Sequence, residues 1–275
     1  MNSLLLGALL LSSLPAAAPA GYSADQLVVV GKAYAEKGED DKAIATLTEA
    51  LAGKPKAAAE AEYLLGLCLS RKDRLADAAG HLQQAVALDA RRNDAWLLLG
   101  MTRDLQKDAA SAAEAYRKAI TASPERPEAH KELGSTLMLL GRPEEAVAEL
   151  SAALKIAPFQ TEILGDLGYA QLLAKKCDEA AVTLAKAATA DKKSPDAAVH
   201  LGDAKACLGK TDEAVAAYEQ AVALDPNHAR ALFHLGLMRM KQGDHAKARE
   251  ALQRAKKADP DNPKIGQALE RLGSK

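Results

Sequence analysis

The sequence predicts an all-α solenoid built from one helical hairpin repeated seven times. Glycine recurs every 34 residues, at Gly66, Gly100, Gly134, Gly168, Gly202 and Gly236, with Gly31 standing 35 residues before the first of these. Twelve residues after each glycine stands an alanine: Ala43, Ala78, Ala112, Ala146, Ala180, Ala214 and Ala248. Seven residues further on stands another: Ala50, Ala85, Ala119, Ala153, Ala187, Ala221 and Ala255. A fixed period of this length is the signature of stacked supersecondary units. The chain is 48% hydrophobic but only 3% aromatic, so its core has to be made of Leu, Ala and Val. Ala and Leu are the strongest helix formers, which makes the repeated unit helical. A stack of like units offers surfaces in place of a catalytic cleft.

The first twenty residues differ from the rest. They carry no charged side chain, an apolar run from Leu4 to Leu14, and then a Pro- and Ala-rich stretch ending Ala18-Pro19-Ala20. The run is short of the roughly 20 apolar residues that a membrane span needs. It has the length of a signal-peptide core, and Ala18-Pro19-Ala20 is a cleavage signal of the A-x-A type. The expectation is a signal peptide over residues 1–20, cut between Ala20 and Gly21, and a mature chain without a transmembrane segment in an exported, periplasmic or secreted compartment. The alternative is an apolar helix packed on the solenoid end. No cysteine stands beside the cut, so a lipid anchor there is excluded.

From residue 24 the repeat takes over. The units run 24–57, 59–92, 93–126, 127–160, 161–194, 195–228 and 229–262, with Ala58 as a single-residue insertion. Each reads helix, short turn, helix. In the last unit the stretch from Ala229 to Lys241 is helical, Gly243-Asp244 breaks it, and Ala246 to Ala258 makes the second helix. Glycine is favoured just past a helix end. Asp259-Pro260 closes the unit, because proline cannot continue a helix and restricts the residue before it. Pro55, Pro124, Pro158 and Pro226 recur at the same place. Residues 263–272 read as an amphipathic capping helix with Pro263 at its first position.

These columns resemble the tetratricopeptide repeat. Counted within a unit, Leu65, Leu99, Leu133, Leu167, Leu201 and Leu235 precede the repeat glycine, and Val30 does so in the first unit. Position 24 holds Leu47, Leu82, Tyr116, Leu150, Leu184, Tyr218 and Leu252, and Trp96 fills the aromatic place at position 4 of the third unit. Ala90 and Lys192 depart from the family's closing proline. The resemblance covers residues 24–262 and implies a right-handed superhelix of antiparallel helix pairs whose concave groove is lined by first helices.

That resemblance places an apolar, Met-containing stripe in the groove: Tyr63, Leu67, Leu97, Met101, Leu105, Met138, Leu139, Tyr169, Leu172, Leu173, Val199, Phe233, Leu237 and Met240. Exposed apolar patches of this extent mark binding surfaces, and Met suits an adaptable one. The same side chains can instead pack between neighbouring first helices. Position 2 reads Asp25, Glu60, Asp94, Glu128, Glu162 and Asp196, and then Arg230. The macrodipole alone favours carboxylates in a first turn; the functional reading is an acidic rim that selects a basic or polar-flanked segment. Some family members clamp a C-terminal carboxylate with Lys, Asn and Arg, but here Lys131 is followed by Ser135 where that set needs Asn. Position 6 turns polar along the chain, through Glu132 and Asp166 to His200 and His234, and is read as a groove wall with no metal.

Of three cysteines, Cys177 and Cys207 lie near the helix turns of adjacent units, where they either close a bridge or remain two buried thiols, while Cys68 sits at a core position. The net charge is −1 with no basic stripe, which argues against nucleic acid. No HExxH, GxSxG, GxGxxG or Walker-type loop occurs, so neither catalysis nor a cofactor is expected. The function expected is a noncatalytic scaffold that holds a peptide or helix of a protein partner within a cell-envelope assembly such as a pilus, secretion or polysaccharide-export machine. The alternative is a periplasmic binding protein for a polysaccharide or an acyl chain.

Overall fold

The computed structural model describes residues 21–273 and shows α-helices joined by short turns, with no strand among the described residues. The signal peptide and its cleavage position lie outside these residues. The chain divides into two compact units, one running to Leu140 and one starting at Gly141. The first holds α1 (Ala24–Glu36), α2 (Asp40–Ala52), α3 (Ala58–Arg71), α4 (Leu75–Leu88), α5 (Asn93–Leu105), α6 (Ala109–Ala122) and α7 (Pro127–Leu139). The second holds α8 (Pro143–Ile156), α9 (Thr161–Leu173), α10 (Cys177–Ala190), α11 (Pro195–Cys207), α12 (Thr211–Leu224), α13 (Ala229–Lys241), α14 (His245–Ala258) and α15 (Pro263–Gly273).

Within each unit every helix packs on its successor. First helices of adjacent repeats also touch: α1 on α3, α3 on α5 and α5 on α7, then α9 on α11, α11 on α13 and α13 on α15. The columns that mark the period are the reason. All fourteen column alanines are buried to 2% exposure or less, so neighbouring backbones approach where any longer side chain would hold them apart. The repeat glycine receives the side chain at position 24 of the partner helix. A Cβ on Gly66 would stand 2.6 Å from Cγ of Leu82, and one on Gly31 the same distance from Cγ of Leu47. Where the partner is Tyr116 or Tyr218, the phenol ring lies over Gly100 or Gly202.

Turn chemistry sets the helix ends. The residue at position 15 of every unit is left-handed: Gly38, Asp73, Lys107, Gly141, Lys175, Gly209 and Gly243. Four glycines adopt it without steric cost, while Asp73, Lys107 and Lys175 hold φ near +60° against their Cβ. Ser23 and Gln26 form a reciprocal capping box at the start of α1. Asp108 accepts from the Ser111 amide and Asp244 from the Lys247 amide at the starts of α6 and α14. Pro127, Pro143 and Pro195 stand at the first positions of α7, α8 and α11, where a missing N–H costs nothing.

Candidate functional site

The first helices present their solvent-facing side chains by repeat register, and the two units differ. In the first unit Met101 and Leu105 on α5 and Leu139 at the end of α7 are 44%, 62% and 79% exposed, with Leu97 and Met138 half-buried. Leu67 and Tyr63 on α3 are also half-buried. Tyr63 packs against the cores on both sides, and the Arg92 guanidinium lies 4.5 Å from its ring centroid, itself paired with Asp94.

In the second unit the same register is more polar and more engaged. Tyr169 on α9 stacks on His200 of α11 with ring centroids 5.1 Å apart, and Arg230 of α13 lies 6.0 Å from the Tyr169 centroid. Arg230 donates to Nε2 of His200 at 3.2 Å and to the Asp203 carboxylate. Asp203 also accepts from the buried Tyr218 hydroxyl at 2.7 Å. His234 stacks on Tyr218 and meets the edge of Phe233. Burial first, then the Arg230 charge, holds the His200 imidazole below its ordinary pKa, and burial does the same for His234. A neutral His200 is what the contact requires, since guanidinium only donates and Nε2 must accept.

Leu173 is 41% exposed, and Leu172 leans on the α10 core. Phe233, Leu237 and Met240 pack against Ile265, Ala268 and Leu272 of α15, so they also seat the terminal helix. Val199 departs from its expected place in the groove. It is fully buried in the cluster of Ala198, Tyr218 and Leu235, because its side chain turns between α11 and α12 and away from the exposed register.

The expected acidic rim is engaged within the fold, partly by sequence neighbours and partly by residues about a repeat length away. Asp25 accepts from the amides of Lys56 and Ala57, at 2.7 and 3.4 Å, ahead of the otherwise uncapped α3. Glu60 pairs with Lys32 at 2.8 Å, Asp94 with Arg92 at 3.2 Å, Glu128 with Arg126 at 3.8 Å and Asp196 with His228 at 3.1 Å, and Glu162 is engaged as well. Arg230, the one base in that column, makes the same tie with reversed charge. Lys32 and Asp203 both stand at position 9, and Glu60 and Arg230 both stand at position 2 of the following unit. Reading the sequence residue by residue missed this network. Its signal was the charge reversal at Arg230 together with the acid at Asp203.

Cys177 opens α10 and Cys207 closes α11; the structure joins them as a disulfide with Cα atoms 5.8 Å apart. Cys68 is buried and free. Burial and the neighbouring Asp40 push its thiol up to about 12, which keeps it protonated and unreactive. Among the described residues no group of three or more His, Cys, Asp or Glu is placed to hold a metal ion. No described helix is long and apolar enough to cross a membrane.

A tetratricopeptide-repeat model matches residues 30–92, 63–127 and 199–263, and a second model of the same repeat matches 105–175. The chain belongs to the tetratricopeptide repeat family, whose fold serves as a protein-interaction scaffold. No curated protein matches it. Among solved structures it is similar to YrrB, described as a TPR protein with an unusual peptide-binding site, at 20% identity and a TM-score of 0.58, covering 70% of this chain and 99% of that one. It is similar to MamA at 26% identity and a TM-score of 0.55, covering 60% and 97%. A tetratricopeptide repeat protein from Parabacteroides merdae aligns at 16% identity with a TM-score of 0.63, covering 92% and 99%.

Proposed function

We propose that this chain is a noncatalytic scaffold that captures an apolar segment of a protein partner on the exposed face of its first helices. The observation that carries this reading is the set Met101, Leu105 and Leu139: three large apolar side chains in the solvent-facing register of α5 and α7, each well over a third exposed. A monomeric surface rarely keeps such residues together without a use. Because the position-2 carboxylates are tied within the fold, an uncharged apolar segment suits the face better than a basic one. YrrB, which shares the fold, is described as having a peptide-binding site. Polysaccharide binding is the weaker reading, since Tyr63, Tyr169 and Phe233 already have their faces or edges engaged by Arg92, His200 and His234.

The chain works in an exported compartment as part of an envelope assembly in this reading. The Cys177–Cys207 pairing supports it, because disulfides persist in oxidising compartments. Photo-crosslinker placed at Leu105 or Leu139 in the native cells is expected to trap one defined partner, and the same group on the outward face of α6 is not. Replacing Met101, Leu105 and Leu139 together by Ser is expected to abolish that adduct while helical circular dichroism is unchanged. An adduct that survives these replacements refutes the capture face. Exported protein is expected to carry one free thiol under nonreducing, denaturing conditions, and finding three refutes the oxidised pair.

A further inference from the structure

Two grooves of the same repeat register differ at the residue that faces their arginine, Gln83 in one and Glu219 in the other, and at Ser111 in one and Lys247 in the other. In the second unit, the groove between α12, α13 and α14 is lined by Glu219, Val222, Leu235, Arg239, Glu250 and Arg254. Arg239 donates one guanidinium end to Gln242 and the other across the groove to Glu219, and about 230 Å³ remains. In the first unit, the groove between α4, α5 and α6 carries Gln83 where the other has Glu219, and Arg103 where it has Arg239. Arg103 donates to Gln106, as its counterpart does to Gln242, but no carboxylate crosses to its other end. The cavity there is about 430 Å³.

We infer that this α4–α5–α6 cavity is a second binding site, which takes an apolar side chain of a partner polypeptide flanked by a carboxylate. Its apolar wall is Trp96, Val86 and Leu99. Trp96 donates from its Nε1 to the Ala90 carbonyl at 3.0 Å, which fixes the ring. Arg103, Lys118 and Glu114 line the same cavity, and Arg103 and Lys118 form no ion pair among the described residues, whereas in the second groove Arg239 is paired with Glu219. The partner's carboxylate takes the part that Glu219 plays internally, as a charge-assisted hydrogen bond to guanidinium. Volume and lining fit a side-chain-sized anchor. The site lies on a different face of α5 from Met101 and Leu105, since Trp96, Leu99 and Arg103 share one side of the helix at i, i+3 and i+7. It therefore does not rest on the capture face proposed above.

Trp96 is the only tryptophan of the chain, so its emission reports this cavity directly. The probe is acetyl-Asp-Leu-Phe-Asp-amide, with acetyl-Lys-Leu-Phe-Lys-amide as its charge-reversed control, both titrated into the full chain. The acidic peptide is expected to change Trp96 emission saturably, and raised salt is expected to weaken it. Gln83→Glu, at an exposed position, supplies the internal carboxylate and is expected to weaken binding about tenfold or more, the size of one lost charge-assisted contact. Lys118→Gln is expected to act in the same direction. Met101→Ser with Leu105→Ser is expected to leave the titration unchanged. The proposal is overturned if no saturable change appears, if the basic peptide binds as tightly, or if Gln83→Glu binds like the parent. It is also overturned if the Met101/Leu105 pair abolishes the signal, or if laurate saturates it while the peptide does not, which would make the cavity a lipid site.

Discussion

Each glycine and alanine column answers to one close contact. A Cβ on Gly100 would enter the Tyr116 ring, a buried side chain whose hydroxyl is held by Asp104 at 2.8 Å and so cannot step aside freely. Gly100→Ala is expected to cost about 1–3 kcal/mol in urea unfolding, the usual penalty of overpacking a filled core. Gly165→Ala on α9, where an added Cβ meets nothing within 4 Å, is expected to stabilise by about 0.5–1 kcal/mol. Left-handed Lys107 and Lys175 are a second class. Changing either to Gly removes the Cβ from a φ near +60° and is expected to raise stability by up to about 1 kcal/mol, net of the greater freedom of glycine in the unfolded chain. An unchanged or lowered urea midpoint would contradict this. The glycine columns were legible in the sequence because they repeat. The left-handed turn column was half legible: Gly243-Asp244 announced it, but Lys107 and Lys175 fill the same place with residues that carry no turn signal.

Between helices, the ties are ionic as well as apolar. Lys32–Glu60 joins α1 to α3, and Asp203–Arg230 joins α11 to α13 with the charges exchanged. The second pair is the more buried, with Asp203 also receiving Tyr218, so it is the better test. Arg230→Glu alone places a carboxylate beside Asp203 and is expected to lower the melting temperature. Adding Asp203→Lys is expected to recover part of that loss, with a coupling of about 0.5–3 kcal/mol in the cycle, as for residues that share one network. Purely additive losses would mean that Arg230 works through Tyr169 and His200 instead. The column of carboxylates was visible in the sequence. Its role was not, because Lys32 and His228 reach Glu60 and Asp196 from about a repeat length away and leave no periodic trace; six acids in register read as first-turn carboxylates or as a rim.

At the scale of the molecule, stability in a repeat array is close to a sum of neighbouring contacts, so a local proton can be felt in the whole unfolding curve. His200 and His234 have folded pKa values below the ordinary one, so the unfolded chain takes up their protons first. Their contribution is complete above the unfolded value of about 6.5 and is lost as pH falls from there towards the folded values. The urea midpoint is expected to drop between pH 7.5 and pH 5, and His200→Gln with His234→Gln is expected to flatten that part of the slope. An equal drop in the double variant would assign it to other groups.

The sequence by itself determined the period, the helical hairpin and the small residues on which neighbouring helices close, because close packing at a fixed spacing has to be repeated in the letters. Tertiary structure decided what the remaining side chains do. It buried Val199, engaged the acidic column with amides and bases of the fold, brought Cys177 to Cys207, and left Arg103 without the carboxylate that Arg239 finds. The ionic contacts among them depend on which long side chain reaches which partner across a helix interface, and at Arg103 the difference is Gln83 in place of a glutamate.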